Sequence, residues 1–304
     1  MTTVDTSTAD TPATGTGARP RTGDRAPRRE LGVVNVFSHG FLLLWAALTT
    51  LPLLWVFISS FKTDGEILAD PWGLPGALRF ENWARAWTEA HIGRYFLNSG
   101  IVVAGSLTLT MLLGATAAYV FARYEFRGRQ VAYYLFVGGM MFPVFLALVP
   151  LFFVVRNAGL FGTWTGLVLV YAAYSLPFTV FFLTAFFRTL PTSVAEAALI
   201  DGCGHFGLFF RVMLPMARPG LISVAIFNFL SQWNQFILPQ VLMQGDESKW
   251  VLAQGLAALA VSQGYQGDFS GLFAGLTLGM LPVLAVYVVF QRQIQSGLTA
   301  GQLK

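Results

Sequence analysis

The sequence predicts an all-α, polytopic membrane protein with six transmembrane helices. Three observations carry that expectation. Apolar residues make up 55% of the 304 positions and charged residues 11%, about half the charged share of a soluble domain. Five stretches hold no charged residue: Phe41–Ser60, Phe96–Phe121, Val131–Val155, Gly162–Phe187 and Gly220–Met243; a sixth is Phe269–Gln291. Each is long enough to cross a hydrocarbon core of about 30 Å as a helix. The basic residues, thirdly, fall unevenly on the connecting segments. Six crossings use most of the chain and leave no length for a separate soluble core.

The elements follow in order. Residues 1–30 read as a disordered cytoplasmic tail, rich in Thr, Ala and Gly at first and then in arginine at Arg19, Arg21, Arg25, Arg28 and Arg29. Pro20 and Pro27 interrupt any amphipathic helix there. Residues 31–95 supply the first transmembrane helix and an extracytoplasmic loop. That helix is not a cleaved signal peptide, because its apolar run is too long and a polar lead of 40 residues precedes it. Residues 96–293 form a core of five further spans with a polar loop at 188–219, and residues 294–304 form a C-terminal tail.

Orientation follows from lysine and arginine. The tail, the Ala122–Gln130 and Arg188–Pro219 loops and the C-terminus hold 13 of the 19; the opposite loops hold 6. Both termini are therefore expected in the cytoplasm. The net charge of +4 reflects this bias and gives no reason to expect nucleic acid. The single cysteine, Cys203, falls on the cytoplasmic side, where no disulfide is expected.

Several chemistries are excluded. No ionisable side chain lies deep in a span, whereas proton-coupled carriers need such groups. No matched pair of interrupted helices is visible in the pattern. None of the three lysines, Lys62, Lys249 and Lys304, follows a glycine-rich loop, so a phosphate cradle for ATP is absent. Neither His-Glu-x-x-His nor Gly-x-Ser-x-Gly occurs, so no catalytic residues and no metal ligands are predicted.

The polar loop can be built from local rules. Ser193 with Glu196 has the spacing of a capping box. Ala195, Ala197, Ala198 and Leu199 favour helix, and Gly202 suits the left-handed residue that closes it. A second short helix is expected over about Phe206–Met213, stopped by Pro215, with Pro219 opening the next span. Each residue taken alone also has a purely local role as cap, turn or surface anchor.

In the fifth span, Asn228, Ser231, Gln232 and Gln235 share one helical face, with Asn234 at its flank, at 100° per residue. Uncharged amides suit sugar hydroxyls, since they donate and accept without a counter-charge; they equally suit helix–helix hydrogen bonds. Trp233 points off that face. That face is a candidate wall for a solute path, and Tyr171, Tyr174 and kinks at Pro143, Pro150 and Pro177 are candidates to shape the same path. Gly271, Gly275 and Gly279 in the sixth span permit close helix approach, within the subunit or against a partner.

The run Glu196-Ala197-Ala198, then Gly202, then Leu214-Pro215 resembles the coupling loop of ABC importer permeases. From about Leu43 to Lys304 the chain is similar to the inner-membrane permeases of binding-protein-dependent carbohydrate transporters of the maltose-transporter type. Ser60-Phe61-Lys62-Thr63, Phe96-Leu97-Asn98-Ser99, Trp233-Asn234-Gln235-Phe236 and the ending Gly297-Leu298-Thr299-Ala300-Gly301 share in the likeness. Cys203 and Gly204 depart from it, where alanine and a stiffer residue are usual.

The resemblance implies a type I ABC importer permease in a bacterial inner membrane. It implies a second homologous permease subunit, two ATPase subunits that carry ATP and magnesium, an extracytoplasmic solute-binding protein and a carbohydrate substrate, in contact with membrane lipid. Glu196, Ala197, Ala198, Asp201, Gly202, Phe206, Phe209, Leu214 and Pro215 would form the ATPase-coupling loop, and Gly297–Gly301 an extended tail reaching the ATPases. A polyol or glycerol phosphate is the alternative cargo; a membrane-embedded enzyme or receptor is the alternative class.

Overall fold

A computed structural model of the chain describes the backbone of residues 28–299 and the side chains of residues 35–262 and 267–293. Most of the expected N-terminal tail, and Ala300 and Gly301, lie outside the described residues. Contacts divide the chain into two units, residues 1–52 and 53–304. The first supplies most of helix α1 (Arg28–Ser59). There the Thr49 hydroxyl donates to the Trp45 carbonyl at 2.9 Å, which satisfies it inside its own helix as a hydrocarbon environment requires.

The second unit begins with a compact connection. Lys62 is 1% exposed, and its ammonium donates to the carbonyls of Asp70 and Pro71 at 3.0 Å each. The Asn82 amide donates to the carbonyls of Ser60 and Lys62. Helix α2 (Asp64–Ala69) opens on a capping box between Thr63 and Glu66, and α3 (Glu81–Thr88) follows. The Ser60–Thr63 motif is thus a knot that closes the connection between residues 60 and 82 on itself.

The bundle follows as α4 (Ile92–Arg123), α5 (Arg129–Met140), α6 (Val144–Asn157) and α7 (Trp164–Thr189). The axis of the fold is the α4–α7 pair. Their close approach needs Gly114, because a Cβ there would overlap the Thr179 side chain. α7 starts where the Thr163 hydroxyl accepts from the Gly166 N–H at 3.0 Å, an N-cap bond.

The loop region comprises α8 (Thr192–Ile200), α9 (His205–Gly207), a π-helical turn (Leu208–Met213) and α10 (Leu214–Met216). Then come α11 (Arg218–Trp233), α12 (Ile237–Leu242), a 3₁₀ turn (Glu247–Lys249), α13 (Leu252–Gln266) and α14 (Phe269–Thr299). No strand occurs among the described residues. Asn98 on α4 holds the segment before α13, donating to the carbonyls of Ser248 and Trp250.

Two expected spans are broken. The third bends by 105° between α5 and α6. Pro143 caps α6 there, and a proline restricts the residue before it away from helix. The fifth ends as helix at Trp233, with Asn234 as its C-cap, and resumes only at Ile237. Four helices are long and apolar enough to cross a membrane, and two bent pairs raise the number to six. The second of these pairs joins the π-containing loop to α11 at 75°. Non-helical backbone is tolerated at membrane depth where it lines a cavity, and both breaks do so. The glycine stripe packs within the subunit: a Cβ on Gly275 would touch Leu256 and Leu259, and one on Gly279 would crowd Leu256. The C-terminal tail also departs from the expected extended form, since its backbone is helical through Thr299.

Candidate functional site

A cavity of about 440 Å³ opens between α5, α7 and α11. Met140 and Phe142 at the break in the third span line it, as do Tyr171, Tyr174, Ser175 and Phe178 on α7. Asn228, Ser231 and Gln232 on α11, with Gln235 just beyond it, complete the polar wall. No charged side chain is among its lining residues.

The polar residues divide into two groups. Asn228 and Gln232 are 3% and 5% exposed. The Asn228 amide donates to Thr179 Oγ1 at 2.8 Å. The Gln232 amide donates to Ser175 Oγ at 2.9 Å, and its oxygen accepts from the Ser106 hydroxyl. These two side chains bolt α11 to α7 and α4. Ser231 is exposed and Gln235 half-buried, and no side-chain hydrogen bond of either occurs within the chain. Their donors and acceptors are open to a solute.

The expectation for Asn234 is corrected. Its amide folds back onto the Leu230 carbonyl at 2.8 Å. It lines a second, apolar cavity of about 310 Å³ with Trp233, Leu252, Leu256 and Gly279. The end of the helix at Trp233 is the cause, because the 100° progression holds only while the backbone is helical. The same break brings Gln235 to the main cavity by another route. Trp233 packs, as its position suggests, and its indole N–H donates to the Gly279 carbonyl at 3.2 Å. Sequence periodicity in α11 could not reveal Ser106, Ser175 and Thr179, the partners on other helices. Their only signal is that each is a hydroxyl inside an apolar run.

The second candidate site is the loop of α8 to α10. The expected capping box is absent. Helix α8 begins at Thr192 with Pro191 as N-cap and no side-chain cap bond. Ser193 is already helical there, so it cannot take the extended conformation that an N-cap needs. Glu196 is exposed, and its side chain makes no hydrogen bond or ion pair among the described residues. The C-terminus follows expectation. Gly202 has φ +82°, its N–H reaches the Leu199 carbonyl, and the Cys203 N–H reaches that of Ala198, both at 3.0 Å. This pair of bonds is a Schellman closure. Asp201 is the C-cap. Pro215 does not stop the second helix, which runs on to Met216 through the π turn. In that turn the Leu214 N–H bonds back to Phe209, a wider register that accommodates the proline beside it.

The loop has two faces. Ile200 and Phe206 are 86% and 84% exposed, and Leu199 and Phe210 are also exposed. Glu196, Ala197 and Asp201 share that solvent side. Phe209, Leu208 and Met213 turn inward and join Tyr119, Leu183 and Phe187 in one buried cluster, against which Ala198 and Leu214 also pack. The Phe209 ring lies 4.9 Å from that of Tyr119. Two polar ties add to this: Tyr124 OH to His205 Nδ1 at 2.9 Å, and the Arg123 guanidinium to the Leu190 carbonyl at 2.6 Å. Among the described residues, no group of His, Cys, Asp and Glu is placed to hold a metal.

A bundle with two broken spans around an uncharged cavity, carrying an anchored loop with an apolar outer face, has the architecture of an importer permease. A solved structure agrees: a chain of a bacterial ABC transporter involved in the import of the acidic polysaccharide alginate superposes with a TM-score of 0.69. It covers 87% of this chain and 96% of its own, at 20% identity, which speaks to fold alone. Residues 110–299 match the family described as binding-protein-dependent transport system inner membrane component. Among curated relatives, the diacetylchitobiose uptake system permease protein NgcG of Streptomyces coelicolor is 57% identical over 267 residues, 88% of each chain. The trehalose transport system permease protein SugB of Mycobacterium tuberculosis is 31% identical, over 86% of this chain and 97% of its own. The chain therefore belongs to the family of binding-protein-dependent transport system inner-membrane components. It is a multi-pass permease subunit of a type I ABC importer and not an enzyme, and it works with a partner permease, an ATPase and a substrate-binding protein.

Proposed function

We propose that this permease carries an uncharged, N-acetylated disaccharide of the diacetylchitobiose class inward. The carrying observation is a cavity without charge, walled by aromatic rings and by the free hydrogen-bonding groups of Ser231 and Gln235. The 57% identical relative named for diacetylchitobiose uptake supports the same class. Rings stack on sugar faces, and amides pair with hydroxyl and acetamido groups without a counter-ion. A glycerol phosphate would call for a cation in the wall, and none lines it.

In this reading the α8–α10 loop faces the cytoplasm and docks through Ile200 and Phe206 on an ATPase pair that carries the ATP and magnesium. Phe209 and Met213 pass the motion to α4 and α7, and α7 shares the cavity wall with α11. The extracytoplasmic solute-binding protein meets the loops around α2–α3 and residues 244–268. The helix ending at Gly297–Thr299 extends toward the ATPases. No nucleic acid takes part.

The test is reconstitution of the permease pair, the ATPases and the binding protein in proteoliposomes. Uptake of labelled diacetylchitobiose, with ATP hydrolysis stimulated by the loaded binding protein, is the expected result. Uptake of trehalose or a sugar sulfonate in its place, with diacetylchitobiose inert, would reject the substrate assignment.

A further inference from the structure

We propose that the groove between α4 and α5 binds one anionic glycerophospholipid, its acyl chain in the groove and its phosphate at Arg127 and Arg129. The inference rests on the orientation above, which puts the α4–α5 turn at the cytoplasmic membrane surface.

The groove has a volume of about 550 Å³ and is walled by Leu113, Ala117 and Val120 of α4, Ala132 and Phe136 of α5, and Leu176 of α7. Leu113 to Val120 spans roughly 10 Å of helix, room for the first part of an acyl chain. At its lower end the wall includes Phe126, 45% exposed. Phe126 also lines a second cavity of about 390 Å³ at the turn, with Glu125, Gly128, Arg129 and Gln130. The apolar slot therefore opens directly onto a polar mouth.

The turn at the mouth is net cationic. Arg129 lines it with Glu125, and Arg127, exposed between the lining residues Phe126 and Gly128, adds a second positive charge. Arg123 is engaged with the Leu190 carbonyl, and Arg188 lies over the Tyr133 ring. Arg129 donates to the Tyr124 carbonyl at 3.2 Å and pairs loosely at 4.0 Å with Glu125, whose side chain is 96% exposed. Arg127 is exposed and makes no hydrogen bond or ion pair within the chain. Gly128 is the N-cap of α5 and no side chain caps the helix; the Arg129 N–H is taken by the Phe126 carbonyl at 3.2 Å, and those of Gln130 and Val131, at the mouth, lack intrahelical acceptors. A slot that is apolar in its depth and cationic at its opening matches an acyl chain joined to a phosphate. A protein helix from the partner permease would have to bury an apolar ridge and leave those arginines unmatched.

The test uses the assembled transport complex in nanodiscs and a phosphatidylglycerol with a diazirine in its acyl chain. Photolabelling is expected within residues 113–136, displaced by excess phosphatidylglycerol and not by phosphatidylcholine. Arg127→Gln with Arg129→Gln should lower that labelling roughly tenfold, since each basic group near the surface contributes to anionic-lipid attraction. Ala132→Phe should block the slot, and Arg218→Gln, a basic residue elsewhere on the same surface, should leave labelling unchanged. Should Ala132→Phe fail to assemble, the arginine pair decides alone. Equal labelling by both lipids, an equal loss in Arg218→Gln, or protection of the groove by the partner permease would each overturn the site. Membrane topology is read separately: label at the groove with the turn outside would reject the orientation alone, and no label with the turn inside would reject the lipid site alone.

Discussion

The ring of Phe209, on the loop, lies 4.9 Å from the ring of Tyr119, on α4, tilted by 41°. Three residues earlier, Phe206 is 84% exposed. An exposed ring and a buried ring contact therefore sit side by side on one short segment, and substitution can separate the docking proposed for Phe206 from the packing of Phe209. Phe209→Ala should cost about 3–5 kcal/mol of stability, as for other buried phenylalanines, and lower the thermal midpoint of the purified permease. Phe206→Ala should leave that midpoint unchanged and reduce ATPase retention in a pull-down. Equal thermal loss in both variants would contradict the two-faced loop.

The cavity amides make a second contrast. Gln232→Leu takes away the side-chain partner of Ser175 and leaves the Ser106 hydroxyl with only the Val103 carbonyl at 3.3 Å, at about 1–3 kcal/mol for an unpaired buried group; assembly should suffer. Gln235→Leu and Ser231→Ala remove groups that bond nothing in the chain. They should leave assembly intact while slowing disaccharide uptake several-fold. Normal uptake in both would move the solute path away from this wall.

Gly202 closes α8 at φ +82°, and a Cβ there meets nothing within 4 Å. The strain of Gly202→Val is therefore in the backbone alone, roughly 1–3 kcal/mol. Gly202→Val and Asp201→Arg should both abolish uptake with the permease inserted at normal abundance. Full ATPase retention with wild-type stimulated hydrolysis and uptake would show that the loop does not couple.

Glu66 clasps the loop after α1. Its carboxylate accepts from the N–H of Thr63 at 2.8 Å and of Gly76 at 3.0 Å. These backbone hydrogen bonds, Thr63 first, hold its pKa below the ordinary glutamate value. A depressed folded-state pKa stabilises the ionised clasp above the unfolded value, and that stabilisation is lost as pH falls through the depressed one. Amide exchange over residues 63–76 should accelerate in that acid window. In Glu66→Gln the acid-dependent step should be missing.

Basic residues predict the side on which each segment lies. Tags near Arg127, Phe206 and Lys304 should report cytoplasm, and a tag near Gln254 the outside. Cysteine labelling that finds the Phe206 region outside would overturn the orientation and ATPase docking together.

Composition and local pattern alone were enough for the membrane class, the order of apolar segments, the polar loop and the turn at Gly202. Each depends on a property that the chain carries locally: hydropathy summed over a span, or the freedom of glycine to take positive φ. Gln232 and Asn228 were legible as polar residues on one helical face, but not as bolts, because Ser175, Thr179 and Ser106 stand on other helices. Asn234 was misplaced; Pro143 was legible as a kink but not as a 105° break between helices, and the break at Asn234–Phe236 was not foreseen. A helix stops inside an apolar run when neighbouring helices offer a cavity for its freed backbone, and that cavity exists only once the bundle has assembled. The start of α8 tells the same story. Ser193 and Glu196 have the spacing of a cap, yet Pro191 takes the N-cap position and the helix begins two residues earlier.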